Sequence, residues 1–105
     1  MKLVFCPHCQ DVVRLIHERR SCLCGKVTGW YEDDVKAVVY GKDAVVLGVD
    51  NYSLVQALQM HRRQREQKME QDRGPEFTAF IISDKAPSVE WVKRDMELDQ
   101  ESSHG

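Results

Sequence analysis

Residues 6–25 read CPHCQDVVRLIHERRSCLCG, and the placement of their four cysteines decides how the rest of the chain is read. The pattern is Cys6-x2-Cys9, twelve intervening residues, then Cys22-x-Cys24 followed by Gly25. Two close pairs, each at a tight turn, can deliver four thiolates to one tetrahedral metal ion at ~2.3 Å. Pro7 restricts the first turn. Gly25 suits a left-handed conformation that turns backbone N–H groups toward sulfur. The chain has no fifth cysteine, so nothing remains to build an open coordination position. A closed set of four thiolates is the arrangement of a structural site, not a catalytic one. The spacing predicts one structural zinc ion (Zn2+) held by Cys6, Cys9, Cys22 and Cys24.

Three other chemistries compete for these residues. Cys6-Pro7-His8-Cys9, after Leu3-Val4-Phe5, resembles the active-site motif of strongly oxidising disulfide oxidases of the thioredoxin superfamily. That resemblance implies a thiol–disulfide redox protein using the Cys6–Cys9 pair, its first thiolate stabilised at a helix N-terminus. It covers only four or five residues, and two further cysteines close by are better explained as ligands. Iron in a tetrathiolate site is the second rival, because sulfur geometry alone does not separate it from zinc. A zinc deaminase is disfavoured: it needs His-x-Glu upstream of Pro-Cys-x-x-Cys, and here His17-Glu18 are adjacent and downstream. His8 and His17 read more simply as surface residues than as replacement ligands.

Length and composition frame this module. The 105 residues suffice for one domain, with a modest core that a metal staple would help. Apolar residues make up 42% and charged residues 30%, a globular and well-solvated composition. No apolar run approaches the ~20 residues of a membrane span. Cys6 arrives before any apolar signal segment could fit, so the expected location is cytoplasmic, where thiols stay reduced. Four cysteines there point to metal or redox chemistry. The net charge is −2, with the excess acid at the end in Asp95, Glu97, Asp99 and Glu101. The expected organisation is one zinc-stabilised domain over residues 1–94, its knuckle at 1–25, and an acidic, disordered tail over 95–105.

The remaining sequence reads as an α+β fold with an antiparallel β-sheet of three to five strands and one long α-helix. Leu3-Val4-Phe5 is a short strand, while Val12 to His17 fits either a strand or a helix face. Residues 27–32, 35–40 and 44–49 read as an antiparallel meander, with Gly41 at a two-residue hairpin turn. Ser53 with Gln56 matches a capping box. A helix is expected from about residue 52 to 72, stopped by Gly74-Pro75, and its polar second half must protrude, fray or pack on a partner. Residues 77–83 form a strand, and Val89 to Val92 a last short strand or turn.

Cys6-Pro7-His8-Cys9 and Cys22-Leu23-Cys24-Gly25 resemble zinc knuckles in general. With Gly29-Trp30-Tyr31-Glu32-Asp33, the Tyr40-Gly41 turn and the stretch from Leu47 to Ser53, the chain is similar to small uncharacterised bacterial and phage proteins carrying an N-terminal four-cysteine, zinc-ribbon-like knuckle. The resemblance implies a fold and no activity; a regulator of a host process is conceivable within it.

Other residues carry weaker signals. Arg62, Arg63, Arg65 and Lys68 form a basic stretch that reads as a solvated helix face, or as phosphate contacts to a nucleic acid or nucleotide. Trp30 and Tyr31 read as half-buried sheet aromatics rather than a base-stacking platform. Asp33-Asp34 is a turn. Asn51 and Ser53 cap a helix, or hold an anion there. No nucleophile–base set and no glycine-rich phosphate loop stands out. The expected function is a non-enzymatic binding or regulatory module acting through protein–protein contact with an unidentified partner, and as a homodimer through the helix or adjoining sheet. Nucleic-acid or nucleotide binding through the basic helix is the alternative.

Overall fold

Val4, Val13 and Val46 lie in one cross-strand row, and that row floors the core: Val4 pairs with Val13 on one side and with Val46 on the other. All three are buried. They come together in the computed structural model, which describes residues 1–68 and 72–92. In chain order its elements are β1 (Lys2–Phe5), β2 (Val12–Arg14), β3 (Arg20–Ser21), β4 (Thr28–Tyr31), β5 (Ala37–Tyr40), β6 (Val45–Val49), α1 (Asn51–Glu66), β7 (Ala79–Ile81) and β8 (Val89–Val92). This is an α+β chain with two sheets and one helix among the described residues.

The expectation of a single antiparallel sheet is corrected. There are two four-stranded sheets, ordered β2-β1-β6-β7 and β3-β4-β5-β8. The first is antiparallel throughout, while in the second β5 and β8 run parallel. The expected meander over 27–49 also divides. β4 and β5 pair as neighbours, but β6 crosses to the first sheet and lies between β1 and β7. Burial explains the crossing. Val46 is needed beside Val4 to close the core row, whereas beside β5 it would leave Val4 open on one edge. Gly41 is therefore not a hairpin turn but the start of a crossover. Its φ is +140°, and a Cβ there would meet the Lys26 carbonyl oxygen at 2.8 Å.

Both sheets contribute to one core. Val27, Ala37, Val39 and Val89 of the second sheet and its flanks pack with Val4, Val13 and Val46. Leu15, 2% exposed, follows β2 and reaches across to the second sheet. A side chain on Gly29 would run into its Cδ2 at 2.9 Å. Burying one such leucine contributes ~1.5–3 kcal/mol. Cys6 and Cys22 belong to the same cluster.

The helix is shorter than expected and starts earlier. It spans sixteen residues, about 24 Å at 1.5 Å per residue, and ends at Glu66 well before Gly74. Lys68 then turns left-handed, with φ +55°. Only Ala57 of the helix is buried, so past Met60 little apolar surface remains to hold further turns. The Ser53–Gln56 capping box does not form. Asp50 occupies the cap position, and its carbonyl oxygen accepts both the Ser53 hydroxyl and the Leu54 N–H. The Ser53 oxygen accepts the Thr78 N–H at 2.9 Å instead, tying the returning chain to the helix root. The strand expected over 77–83 is confined to Ala79–Ile81. The expected helical stretch at 69–71, the boundary at 94 and the acidic tail over 95–105 lie outside the described residues. Among the described residues no helix is long and apolar enough to cross a membrane.

Two substitutions separate supported from unsupported surface. Gly41→Ala should destabilise the chain by about 2 kcal/mol, because it adds both a strained φ and a steric overlap. Replacing Arg62, Arg63 and Arg65 together by alanine, all on exposed positions, should shift stability by no more than about 0.5 kcal/mol. Urea unfolding measures both, and a reversed order would contradict the packing described here.

Candidate metal centre

Each cysteine pair sits on a turn that ends in a left-handed residue. After β1 the chain turns through Cys6-Pro7-His8-Cys9, closed by the Gln10 N–H donating to the Cys6 carbonyl at 2.7 Å and by the Cys6 N–H donating to the Asp11 carbonyl at 2.9 Å. Gln10 has φ +61°. Between β3 and β4 the second turn closes by the Gly25 N–H donating to the Cys22 carbonyl at 3.1 Å and the Cys22 N–H donating to the Val27 carbonyl at 3.0 Å. Gly25 has φ +79°. The residue after the second cysteine of each pair thus takes the same conformation. Glycine announces this at 25, and nothing announces it at Gln10. The two turns are linked directly, since the Leu23 N–H donates to Asp11 Oδ2 at 3.1 Å.

These turns bring the four sulfurs of Cys6, Cys9, Cys22 and Cys24 within 4.8 Å of one another. Cys6 and Cys24 sulfurs are 3.7 Å apart, and those of Cys22 and Cys24 are 3.5 Å apart. A tetrahedron with metal–sulfur bonds of ~2.3 Å has sulfur–sulfur edges of about 3.8 Å, so the cluster has the dimensions of a metal site. Each pair supplies one buried sulfur, Cys6 or Cys22, and one more accessible, Cys9 or Cys24. The four cysteines could hold one metal ion. Cys6-Pro7-His8-Cys9 occupies a turn after a strand, not the N-terminus of a helix.

The four thiols differ in how readily they ionise. Burial opposes ionisation of Cys22, yet the Val27 N–H, 3.4 Å from its sulfur, and the neighbouring thiols outweigh it and bring it down to about 6. Burial also opposes ionisation of Cys9, and N–H groups of Cys24 and Asp11 hold it below the usual thiol range. The Lys26 N–H favours a Cys24 thiolate, but burial and the three other sulfurs push Cys24 up to about 12. Once some thiolates form, the last cannot follow without a positive charge between them.

The other sequence candidates are dispersed. His8 donates or accepts through Nε2 at the Lys42 carbonyl, 3.2 Å away, and His17 faces Asp34 at 3.8 Å. Asp33 Oδ1 accepts the Val35 and Lys36 N–H groups at 2.8 and 2.6 Å, the turn expected for this pair. Those bonds, Lys36 first, lower its pKa. On α1, Arg62 pairs with Glu66 at 3.7 Å and Arg65 meets His61 at 2.8 Å, while Arg63 and Lys68 are exposed. Asn51 Oδ1 accepts from the Met1 amino group at 3.2 Å, far along the chain from the cysteines. A cavity bordered by Arg14, Tyr31 and Asn51 was not signalled by the sequence, because its walls come from separate elements.

Cobalt(II) titrated into the metal-free chain should give the absorption of a tetrahedral tetrathiolate, saturating at one equivalent. Cys22→Ser should abolish that spectrum and lower the melting temperature, since Cys22 lies in the core. Cys24→Ser should weaken cobalt binding with a smaller loss of stability in the metal-free state, its side chain being exposed. An octahedral spectrum would contradict the four-sulfur assignment. No family model, curated protein or solved structure matches this chain, and its function is read from its own geometry.

Proposed function

We propose that this chain is a zinc-stabilised, non-enzymatic binding module that works through protein–protein contact, first with a second copy of itself. The all-thiolate donor set suits zinc, and its closed geometry leaves the ion a structural task. The cluster would then clamp the first sheet, through the end of β1, to the second, through the turn before β4.

The observation that carries the contact reading is β7, which among the described residues ends the first sheet. The Ile82 N–H donates to the Val46 carbonyl and the Asp50 N–H to the Thr78 carbonyl, so those backbone groups face β6 and the N–H groups of Ala79 and Ile81 turn outward. The strand itself reads Ala-Phe-Ile, without the lysine or proline that blunts many edges. Phe80 is 53% and Ile81 71% exposed. A second β7, added antiparallel about a two-fold axis, would satisfy the open backbone groups and cover these side chains. The mixed charge of α1, with Arg62 engaged by Glu66, supports a solvated face more than a phosphate-binding one.

Sedimentation equilibrium at micromolar loading should give twice the 12.2 kDa chain mass, and Ile81→Lys should return the monomer. Elemental analysis should give one zinc per chain. A monomer mass at every loading would overturn the self-association, and iron in place of zinc would overturn the metal assignment.

A further inference from the structure

A cavity of about 560 Å³ opens where the end of β2, the end of β4 and the root of α1 meet, and neither a cysteine nor a residue of β7 lines it. Its size is that of a small-molecule site. Its floor is apolar: Leu15, almost fully buried, with Leu54 and Val55 from the first turns of α1. Its polar rim carries three hydrogen-bond donors. Arg14 contributes a guanidinium with no acidic partner among the described residues, although its backbone carbonyl accepts a bond from Arg20 at 3.2 Å. Tyr31 accepts the Lys2 N–H at 2.9 Å, which leaves its hydroxyl proton to donate. Asn51 accepts through Oδ1, which leaves its amide N–H groups to donate. Asp34 is the carboxylate on this rim, but its side chain is 99% exposed and faces His17 at 3.8 Å.

Three donor groups from three elements surround an apolar floor, and their acceptor is not in the described chain. We propose that this cavity binds a small organic anion, a carboxylate or phosphate monoester attached to an apolar group. Arg14 takes the charged oxygens in a two-pronged contact, which its planar fork suits. Tyr31 and Asn51 direct further oxygens, and the apolar portion rests on Leu15 and Leu54. Arg14 stands on β2, exposed, so its replacement does not disturb the core row that Val13 anchors. The site owes nothing to the metal or to the β7 edge and stands independently of the function proposed above.

The test is a methyl NMR titration of the full metal-loaded chain with phenyl phosphate, benzoate and the neutral benzyl alcohol, each to about 10 mM, where even millimolar affinity is visible. The expected result is saturable shifts of the Leu15, Leu54 and Val55 methyls with at least one anion and none with benzyl alcohol. The stronger of the two anion responses tells phosphate from carboxylate. Arg14→Gln should weaken that binding at least about tenfold, while Lys42→Gln, beside the metal turn, should leave it unchanged. The proposal fails if neither anion saturates, if benzyl alcohol binds equally well, or if Arg14→Gln binds as the parent does.

Discussion

The sulfurs of four cysteines converge from two turns that belong to different sheets, and this convergence joins the two sheets at one end of the core. Cys6 and Cys9 hang from the end of β1 in the first sheet. Cys22 and Cys24 lie between β3 and β4 of the second. Bringing them within 4.8 Å sets how the two sheets meet at that end of the core. Cys6 and Cys22 are also core residues, so the cluster and the hydrophobic packing are continuous. A change in either is felt by the other. The ionisation pattern, with Cys22 held near 6 and Cys24 driven toward 12, shows a cluster that does not balance its own charge.

Burial differs widely between the elements. In the core that both sheets share, Val27, Leu15, Val4 and Val46 are buried almost completely. At the opposite extreme α1 buries one residue, Ala57, and is tied down mainly at its root, by Leu54 N–H to Asp50, the Met1 amino group to Asn51 and Thr78 N–H to Ser53. Helical stability in proteins comes chiefly from packing, so a helix with one buried side chain ends where its apolar residues end. The same economy leaves β7 as an edge with apolar side chains in water. A small chain cannot cover all of its apolar surface.

The cysteine cluster was legible because its information is local. Two short spacings and Gly25 specify two turns, and four thiols with no fifth specify a closed set. The strands at 2–5, 37–40 and 45–49 were legible for a related reason, since runs of valine and aromatic residues favour extended backbone whatever they pair with. Asp33 was legible as a turn because its side chain bonds to N–H groups two and three residues on. Gln10 was not legible, because a left-handed glutamine is imposed by the bonds around Cys6 and not by its own preference.

The sequence by itself therefore determined which four cysteines could hold a metal ion, the α+β content and the strands at 2–5, 37–40 and 45–49, each a property of a few neighbouring residues, while β3 at Arg20–Ser21 was not signalled. Tertiary structure alone decided that β6 leaves β5 for β1, that β8 runs parallel to β5, that the helix stops at Glu66, and that Ser53 serves Thr78 instead of its own helix. It also decided that Arg14, Tyr31 and Asn51 share one cavity. Each of these depends on which distant surfaces can be buried together. Val46 is as good a strand residue beside Val38 as beside Val4, and only the competition for one shared core separates the two arrangements.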